Sequence, residues 1–351
     1  MSLEQVIKQI KPLDQKIIEA TQAHLDSLTK PQGSLGMLED IGKQVAAIYG
    51  SVKPPLTKKK VVIMAGDHGV AAEGVSAYPP EVTPQMVLNY MNGGAGINVM
   101  ANHAGASLIC VDVGVAVDLP DLPNLIRKKI AYGTKNMTQG PAMTREEAEK
   151  ALLIGVETVE QLSKEGITLL APGDMGIANT TSSAAIIAAL GNVPVEQVVG
   201  RGTGINDERY KRKIEAVRKA LAVNKPDSND SLDVLAKVGG LEIAGMAGLM
   251  IGAAVYGMPV VIDGFNATAA ALIAGTLAPL SRAYMIGSHL SAEPGHKFML
   301  EYLGIKPMLT MNLRLGEATG AVLVMSMVDC AIKILREMAT FEDAGVSVAL
   351  T

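Results

Sequence analysis

The chain has 351 residues, of which 48% are hydrophobic and 3% aromatic, and it contains 36 glycines and 19 methionines. This length suits one large α/β domain with appendages, or two domains. The net charge is −4 and no block of like charges dominates, which argues against a nucleic-acid partner. Cys110 and Cys330 form no CxxC pair, so neither a disulfide scaffold nor a zinc site is indicated. With no apolar signal region among the first residues, a reducing, cytoplasmic compartment is expected.

The N-terminal region is predicted to be helical up to the first strand. An amphipathic pattern over residues 3–28 predicts one helix, and a second is predicted over 35–49. Residues 61–65 are the first apolar strand, followed by Gly66, Asp67 and His68. Adjacent side chains on an extended turn point apart, and a single histidine is weak evidence for a metal site. No metal is therefore expected here.

Strands and helices alternate through the rest of the chain. Apolar runs predict strands at 108–113, 168–171, 260–263 and 282–286. Longer periodic segments predict helices at 84–90, 96–103, 144–165, 177–190, 208–221, 267–277 and 315–338. The alternation predicts an α/β fold, a doubly wound and mostly parallel Rossmann-like sheet. The chain ends do not fit the alternation, so residues 1–55 with 320–351 are expected to form a smaller helical domain beside a large α/β domain of residues 56–319.

One segment resembles a membrane span. Residues 243–262 are twenty uncharged residues in succession, which is long enough to cross a bilayer. Pro259 interrupts the run, however, and the chain has no tryptophan and no basic flank to set a topology. The segment is therefore predicted to be a buried helix followed by a buried strand, with no membrane partner.

The stretch ITLLAPGDMGIANTTSSAA, residues 167–185, is the most informative one. An apolar strand bounded by Pro172 and Gly173 passes into a helix of small residues. Backbone amides at such a junction, together with the helix dipole, favour an anion such as phosphate. The candidate phosphate-binding or ribose-binding residues here are Gly176, Ile177, Asn179, Thr180 and Thr181. The simpler alternative is that the polar residues only cap the helix.

Two further motifs suggest chemistry. GRGTG supplies Arg201, Gly202, Thr203 and Gly204 as a second place where amides can hold phosphate, and Lys213 on the following helix adds a cation. The alternative is a plain glycine turn. In LRLGEATGA, Glu317 stands at the start of a long apolar helix, where it either complements the helix dipole or, partly buried, acts as a general base near neutral pH.

Several common nucleotide-binding and catalytic motifs are absent from the sequence. It has no GxGxxG opening the first βα turn and no GxxxxGK[ST], which argues against the usual dinucleotide and P-loop folds. A paired-acid motif before a Thr-Gly-Gly loop is also absent, which argues against phosphoribosyltransferases that use a pyrophosphate donor and Mg²⁺. No GxSxG nucleophile elbow is present.

At the level of whole motifs, the chain resembles the nicotinate-nucleotide:dimethylbenzimidazole phosphoribosyltransferase family, which activates the lower ligand of cobalamin. The resemblance extends from about residue 30 to 321 and rests on KPQGSLGMLE, MAGDHGVAAEGVSAYPPEVTPQMV, GDMGIANTT, GRGTGIND, GGLEIAGMAG, DGFNATAAAL, SHLSAEPGH and LRLGEATGA. Two positions depart from the family pattern: Asp174 stands where many members have Glu, and Ala318 stands where Gly is common.

The resemblance implies transfer of phosphoribose from nicotinate mononucleotide to dimethylbenzimidazole, with inversion at C1′ and release of nicotinate. The donor already carries a cationic leaving group, which accounts for the missing Mg²⁺ motif, and no cofactor is expected. Glu317 would take the benzimidazole N–H proton, with Asp174 as a second catalytic candidate. The resemblance also implies a cytoplasmic homodimer.

Further site residues are assigned on the same resemblance. The flat base pocket is expected to include Tyr78, Gln85, Met175 and Leu315. Asp263 and Ser291 lie at predicted strand ends and are expected to contact the leaving nicotinate or the ribose. Two alternatives remain: the same fold and donor with another acceptor, such as adenine or a phenol, and a nucleotide-binding module without catalysis.

Overall fold

The protein is built on one six-stranded parallel sheet. In this computed structural model, which describes residues 1–347, the strands β1 to β6 are Lys59–Gly66, Ser107–Gly114, Leu125–Arg127, Leu169–Met175, Val260–Ile262 and Met285–Gly287. Their order in the sheet is β3-β2-β1-β4-β5-β6, and every neighbouring pair is parallel. The predicted doubly wound Rossmann-like α/β fold is confirmed, and the strand order reverses direction between β1 and β4.

Helices cover both faces of this sheet. The helices α1 to α15 span Leu3–Ile7, Gln15–Ser27, Met37–Tyr49, Val82–Met91, Gly96–Ala104, Arg145–Lys164, Asn179–Leu190, Val195–Val198, Asp207–Asn224, Ser231–Val238, Leu241–Val255, Phe265–Leu277, Gly295–Leu303, Thr319–Glu337 and Phe341–Ala344. Two 3₁₀ helices, Gly69–Glu73 and Pro279–Tyr284, connect further elements. The second of these takes most of the predicted strand at 282–286, of which only the last two residues belong to β6.

Successive residues of the central strands point to opposite faces of the sheet, which gives two hydrophobic cores. Val62 and Met64 belong to the core shared with α6, α7, α11 and α12. Val61 and Ile63 belong to the core shared with α3, α5 and α14. All four side chains are fully buried, as expected for a parallel sheet covered on both faces.

Strand β4 runs farther than its sequence suggests. Pro172 and Gly173 were expected to bound the strand, yet the strand continues through both of them to Met175. The Leu170 amide donates toward β5, to Pro259 O, and the missing N–H of Pro172, two residues further along, lies on the same side. Strand β5 pairs with β4 at Leu170, and Pro172 has no N–H with which to continue that ladder.

Helix α11 and strand β5 account for the long uncharged segment. The helix packs closely against α6 because glycines leave room for the neighbouring backbone: a Cβ built on Gly248 would lie 1.9 Å from Leu152 O. The prediction of a buried helix and a buried strand is confirmed. No helix within residues 1–347 is long and apolar enough to cross a membrane.

The chain ends pack against each other. The single helix predicted over residues 3–28 is wrong: α1 ends at Ile7 and α2 begins at Gln15. Pro12 lies in the break, and proline disfavours helix both at its own position and at the residue before it. His24 Nε2 lies 2.8 Å from Leu335 O, which joins α2 to α14. A separate small domain remains a prediction, and residues 348–351 of it lie outside the described residues.

Candidate active site

A cavity of about 520 Å³ opens at the carboxyl ends of the strands. Residues that follow β4, β5 and β6 contribute to it, together with α4 and the segment before α14. Its lining consists of Tyr78, Val82, Met86, Asp174, Met175, Gly176, Ile177, Asn179, Thr180, Gly202, Thr203, Gly264, Phe265, Asn266, His289, Ser291, Glu293, Arg314, Leu315, Gly316 and Glu317. This is where ligands bind in open parallel sheets.

Glu317 lies in an unusual turn in front of α14. The helix starts at Thr319, so the expectation that Glu317 occupies its first turn is wrong. Gly316, Glu317 and Ala318 have φ values of 82°, 59° and 66°, a left-handed run that non-glycine residues rarely adopt. The turn packs directly on β4, where a Cβ on Gly173 would lie 2.9 Å from Glu317 C.

The environment of Glu317 raises its pKa to about 7. Burial is the main cause, since the residue is only 7% exposed, and the negative charge of Asp174 adds to the effect. The Tyr90 hydroxyl partly opposes this shift in pKa. Within residues 1–347 Glu317 Oε2 has no hydrogen-bond partner. The carboxyl group can therefore accept a proton near neutral pH.

Asp174 is held by two amides. Its Oδ2 accepts hydrogen bonds from Asn179 Nδ2 and Asn266 Nδ2, each at 2.8 Å. Asn266 is itself oriented because its Oδ1 accepts from the Ser183 hydroxyl, also at 2.8 Å. Burial raises the pKa of Asp174 to about 7, and the two amides partly oppose this. Asp174 is thus a second buried carboxyl group with a near-neutral pKa.

The start of α7 contributes backbone to the cavity. Gly176, Ile177, Asn179 and Thr180 all line it. The N-cap residue Ala178 makes no side-chain capping hydrogen bond, and Asn179 bonds to Asp174, so these polar residues are not simply caps. Thr181 is fully buried away from the cavity.

Lys213 does not line the cavity itself, but it contacts Thr180 and the glycine turn at one end of it. Lys213 is 1% exposed, and its Nζ donates to Thr180 Oγ1 at 2.7 Å and to Gly200 O at 3.1 Å. Burial lowers the pKa of Lys213 to about 8. The Gly202 amide donates to Glu293 Oε1 at 2.9 Å. A hydroxyl and a cation thus lie together, as expected for an anion site, and the Glu293 carboxylate already takes the Gly202 amide there.

The rest of the glycine turn divides between two cavities. Thr203 lines the main cavity, and its Oγ1 accepts from the Ala77 amide at 2.9 Å. Arg201 and Gly204 line a neighbouring cavity of about 430 Å³ instead. Arg201 pairs with Asp207 at 2.5 Å and lies over the Tyr210 ring. A phosphate role for Arg201 and Gly204 stays a prediction.

The expected base pocket is only partly assembled. Tyr78, Met175 and Leu315 line the cavity, whereas Gln85 is exposed on α4 and does not. Val82 and Met86 from the same helix line it instead. Val82 and Met86 are four positions apart and lie on one face of α4, whereas the side chain of Gln85 is exposed to solvent.

The two residues that were expected near the nicotinate or the ribose lie in different places, one in the cavity and one outside it. Ser291 lines the cavity, and its Oγ donates to Leu313 O at 3.2 Å. Asp263 does not line it: its Oδ1 accepts from the Gly320 amide at 2.8 Å and from the Ala321 amide at 3.0 Å. Its carboxylate is directed at the start of α14.

Sequence reasoning missed four polar residues of the lining, namely Asn266, His289, Glu293 and Arg314. Each lies inside a motif that the sequence did single out. Asn266 follows β5 in the same pattern of an apolar run and then polar residues that contains Asp174. That pattern is the sequence signal that could have identified Asn266. His289 is buried, and burial lowers its pKa, so the neutral imidazole is favoured.

His68 belongs to a buried pair behind the cavity. Its Nε2 lies 2.6 Å from Glu242 Oε1, and its Nδ1 lies 3.1 Å from the Ser182 hydroxyl. In the part of the chain that the structure describes, no group of three or more His, Cys, Asp or Glu side chains is arranged to hold a metal ion.

Comparison with known proteins places the chain in a family. A family model described as Phosphoribosyltransferase matches residues 10–346. The nicotinate-nucleotide:dimethylbenzimidazole phosphoribosyltransferase of Desulforamulus reducens is 54% identical over 346 residues, covering 98% of this chain and 99% of that protein. The enzyme of the same name from Geobacter sulfurreducens is 52% identical over 345 residues, covering 98% of each chain.

A solved structure agrees with these relatives. The crystal structure of CobT from Thermus thermophilus superposes with a TM-score of 0.92 at 50% identity, covering 95% of this chain and 100% of that one. Sequence and fold coincide over nearly the whole length. The chain therefore belongs to the nicotinate-nucleotide:dimethylbenzimidazole phosphoribosyltransferase family.

Proposed function

We propose that this protein transfers phosphoribose from nicotinate mononucleotide to dimethylbenzimidazole, giving α-ribazole 5′-phosphate and nicotinate. The observation that carries the proposal is Glu317, a buried carboxyl group with a pKa of about 7 on the wall of a cavity that also contains an anion site. Both substrates are named in the family to which the chain belongs.

Glu317 is the general base in this reaction. One nitrogen of the benzimidazole forms a bond to C1′, while the bond from C1′ to the pyridinium nitrogen breaks. The electron pair of that bond goes to nicotinate and neutralises its ring. The proton on the other benzimidazole nitrogen passes to the Glu317 carboxylate, which must be ionised to accept it. Attack opposite the leaving group inverts C1′ from β to α.

The donor phosphate lies at the Lys213 end of the cavity. Lys213 is hydrogen bonded to Thr180 there, and Gly176 lines the same space. The Gly202 amide donates to Glu293 Oε1, so it must leave that carboxylate before it can bind the phosphate. A phosphate monoester is negatively charged, and such an anion is favoured by hydrogen-bond donors and by the N-terminus of α7. Ser291 contacts the ribose or the leaving nicotinate.

The acceptor base lies between apolar side chains. Val82, Met86, Met175 and Leu315 line the cavity on the Glu317 side of the proposed pocket. A flat aromatic base suits these flexible or branched side chains. Asp174 supports the reaction through its charge, which raises the pKa of Glu317. Holding the two rings in reactive geometry supplies much of the acceleration.

The assembly and the location of the protein are part of the same proposal. We infer a cytoplasmic homodimer that needs neither metal nor cofactor and binds no nucleic acid. Light scattering coupled to size-exclusion chromatography measures the molar mass directly. A monomeric mass at the protein concentration of the assay would contradict the dimer.

The activity is tested by mixing purified protein with nicotinate mononucleotide and dimethylbenzimidazole, with and without EDTA. Nicotinate release and α-ribazole 5′-phosphate are followed by chromatography and mass spectrometry. Product in both arms is the expected result. Product only with adenine or p-cresol would change the acceptor, and no product with any acceptor would favour a binding module.

A further inference from the structure

Asp263 occupies a position between β5 and the helix that follows Glu317. It is 2% exposed and is the first residue after Ile262, the last residue of β5. Its Oδ1 accepts the amides of Gly320 and Ala321, the second and third residues of α14. The N-cap residue Ala318 makes no side-chain cap, so the carboxylate of Asp263 supplies the cap from a different element.

The turn that Asp263 fixes is an unfavourable one. Glu317 and Ala318 both have positive φ, a conformation that L-residues avoid unless the surroundings impose it. Three groups impose it here: Gly173 lets the turn rest on β4, Gly320 lets His289 pack close, and Asp263 anchors the amides of Gly320 and Ala321. A Cβ on Gly320 would lie 2.0 Å from His289 Nδ1, so this side is tightly packed.

We propose that Asp263 is a positioning residue for Glu317, and that its cap on α14 holds the left-handed turn that places the Glu317 carboxyl group on the cavity wall. The proposal rests on the proposed function, in which Glu317 is the base. It replaces the contact with nicotinate or ribose that the sequence suggested for Asp263.

The charge of Asp263 gives the proposal a second signature. The titratable groups facing Glu317 are Tyr90 from α4, Asp174 from β4 and Asp263 from the end of β5. Asp263 in turn faces His289, whose Nδ1 lies 3.9 Å from its Oδ1. The negative charge of Asp263 raises the pKa of Glu317, after burial and the charge of Asp174. Removing that charge should therefore lower the pKa of Glu317.

The test compares Asp263→Asn and Asp263→Ala with Asp112→Asn. Asp112 is a matched control because it is also a buried aspartate near the carboxyl end of a strand and accepts two backbone amides, those of Gly114 at 3.1 Å and Val115 at 2.8 Å. These amides lie at the end of its own strand and not at the start of α14. We expect Asp263→Asn to lower kcat about tenfold and Asp263→Ala about 100-fold, since small misplacements of a reacting group are costly. The KM for nicotinate mononucleotide should change less than about twofold, and the control should keep its kcat.

The pH dependence separates positioning from general destabilisation. In Asp263→Asn, the acid limb of kcat should move to lower pH, because Glu317 then ionises more easily. A folded Asp263→Asn variant with the wild-type kcat and an unmoved acid limb would overturn the proposal. Folding is checked by circular dichroism. If Asp263→Ala does not fold, Asp263→Asn still tests the proposal, because its side-chain oxygen can accept both amides.

Glu317→Gln, alone and combined with Asp263→Asn, separates this inference from the proposed function. If Glu317→Gln retains full turnover, the general-base assignment fails, whatever Asp263 does. If Glu317→Gln is impaired, Asp263→Asn should add less than about twofold to its loss, because both residues act through one carboxyl group. A further tenfold loss in the double variant would show that Asp263 acts independently of Glu317.

Discussion

The two ends of the cavity respond to burial in opposite ways. At one end, which we call the acid end, burial raises the pKa of Glu317 and of Asp174 to about 7. The other end, which we call the lysine end, is lined by Thr180 and Gly202, and Lys213 lies behind Thr180. Burial lowers the pKa of Lys213 to about 8. Low polarity favours the neutral form of either kind of group.

Burial of ionisable groups thus sets both the lower and the upper limit of the pH range in which the protein is expected to be active. The proposed base must be ionised, which favours pH values above about 7. Lys213, which is proposed to bind the phosphate, must be protonated, which favours pH values below about 8. A bell-shaped dependence of kcat/KM on pH is the expected result. The variants below affect the two ends separately.

The largest effect is expected at the acid end. Glu317→Gln keeps the size of the side chain but removes the base, so kcat should fall by about 10²–10⁴-fold. The KM for nicotinate mononucleotide should stay within about twofold, since the lysine end is intact. Steady-state kinetics at pH 8 measure both. Glu39→Gln, which changes a buried glutamate that does not line the cavity, is the control.

Loss of the cation at the lysine end should weaken binding of the donor. Lys213→Met is expected to raise the KM for nicotinate mononucleotide about 10–100-fold, the range for a hydrogen bond to a charged group. The effect on kcat should be smaller. Lys237→Met serves as the control, at a partly buried lysine that is bonded to Asp233 and Lys225 O instead of to Thr180. An unchanged donor KM in Lys213→Met would move the phosphate elsewhere.

A moderate effect is expected from Asp174→Asn. The amide oxygen can still accept from Asn179 and Asn266, but the negative charge that raises the pKa of Glu317 is gone. The acid limb of kcat should shift to lower pH by about half a unit. A pH profile of kcat tests this. An acid limb that moves to higher pH contradicts the proposed charge coupling.

The smallest effect is expected at the mouth of the cavity. Leu315 is 59% exposed, so Leu315→Ala removes only part of an apolar contact. The KM for dimethylbenzimidazole should rise about threefold while that of the donor stays unchanged. Leu280→Ala, at a comparably exposed leucine outside the cavity, should alter neither value. Equal changes in both KM values would place Leu315 outside the base pocket.

Local patterns predicted β1, β2, β4 and β5 because burial on both faces leaves largely apolar runs, whereas the three-residue edge strand β3 was not predicted. Val61 to Ala65 is such a run, Leu108 to Val113 is apolar except for Asp112, and both are strands. The pattern failed where a single residue overrides the periodicity, as Pro12 does between α1 and α2. It also failed before α14, where Gly316 begins a left-handed turn that apolar spacing cannot reveal.

The candidate site was predicted unevenly for a similar reason. Residues on the β4–α7 junction are close in sequence, so Asp174, Gly176 and Thr180 were found together. Partners from distant segments were missed, because Asn266 reaches Asp174 across 92 positions and no local signal links them. Asp263 was recognised as polar at a strand end, but its partners on α14 depend on the tertiary fold.

The most direct test of the central role of Glu317 is the pH dependence of kcat in the wild type and in Glu317→Gln, at saturating concentrations of both substrates. The wild-type kcat should fall about tenfold per pH unit below about pH 7, as expected for one ionisable base. In Glu317→Gln the residual kcat should be low and independent of pH over that range. An acid limb that persists unchanged in Glu317→Gln would show that another group accepts the proton.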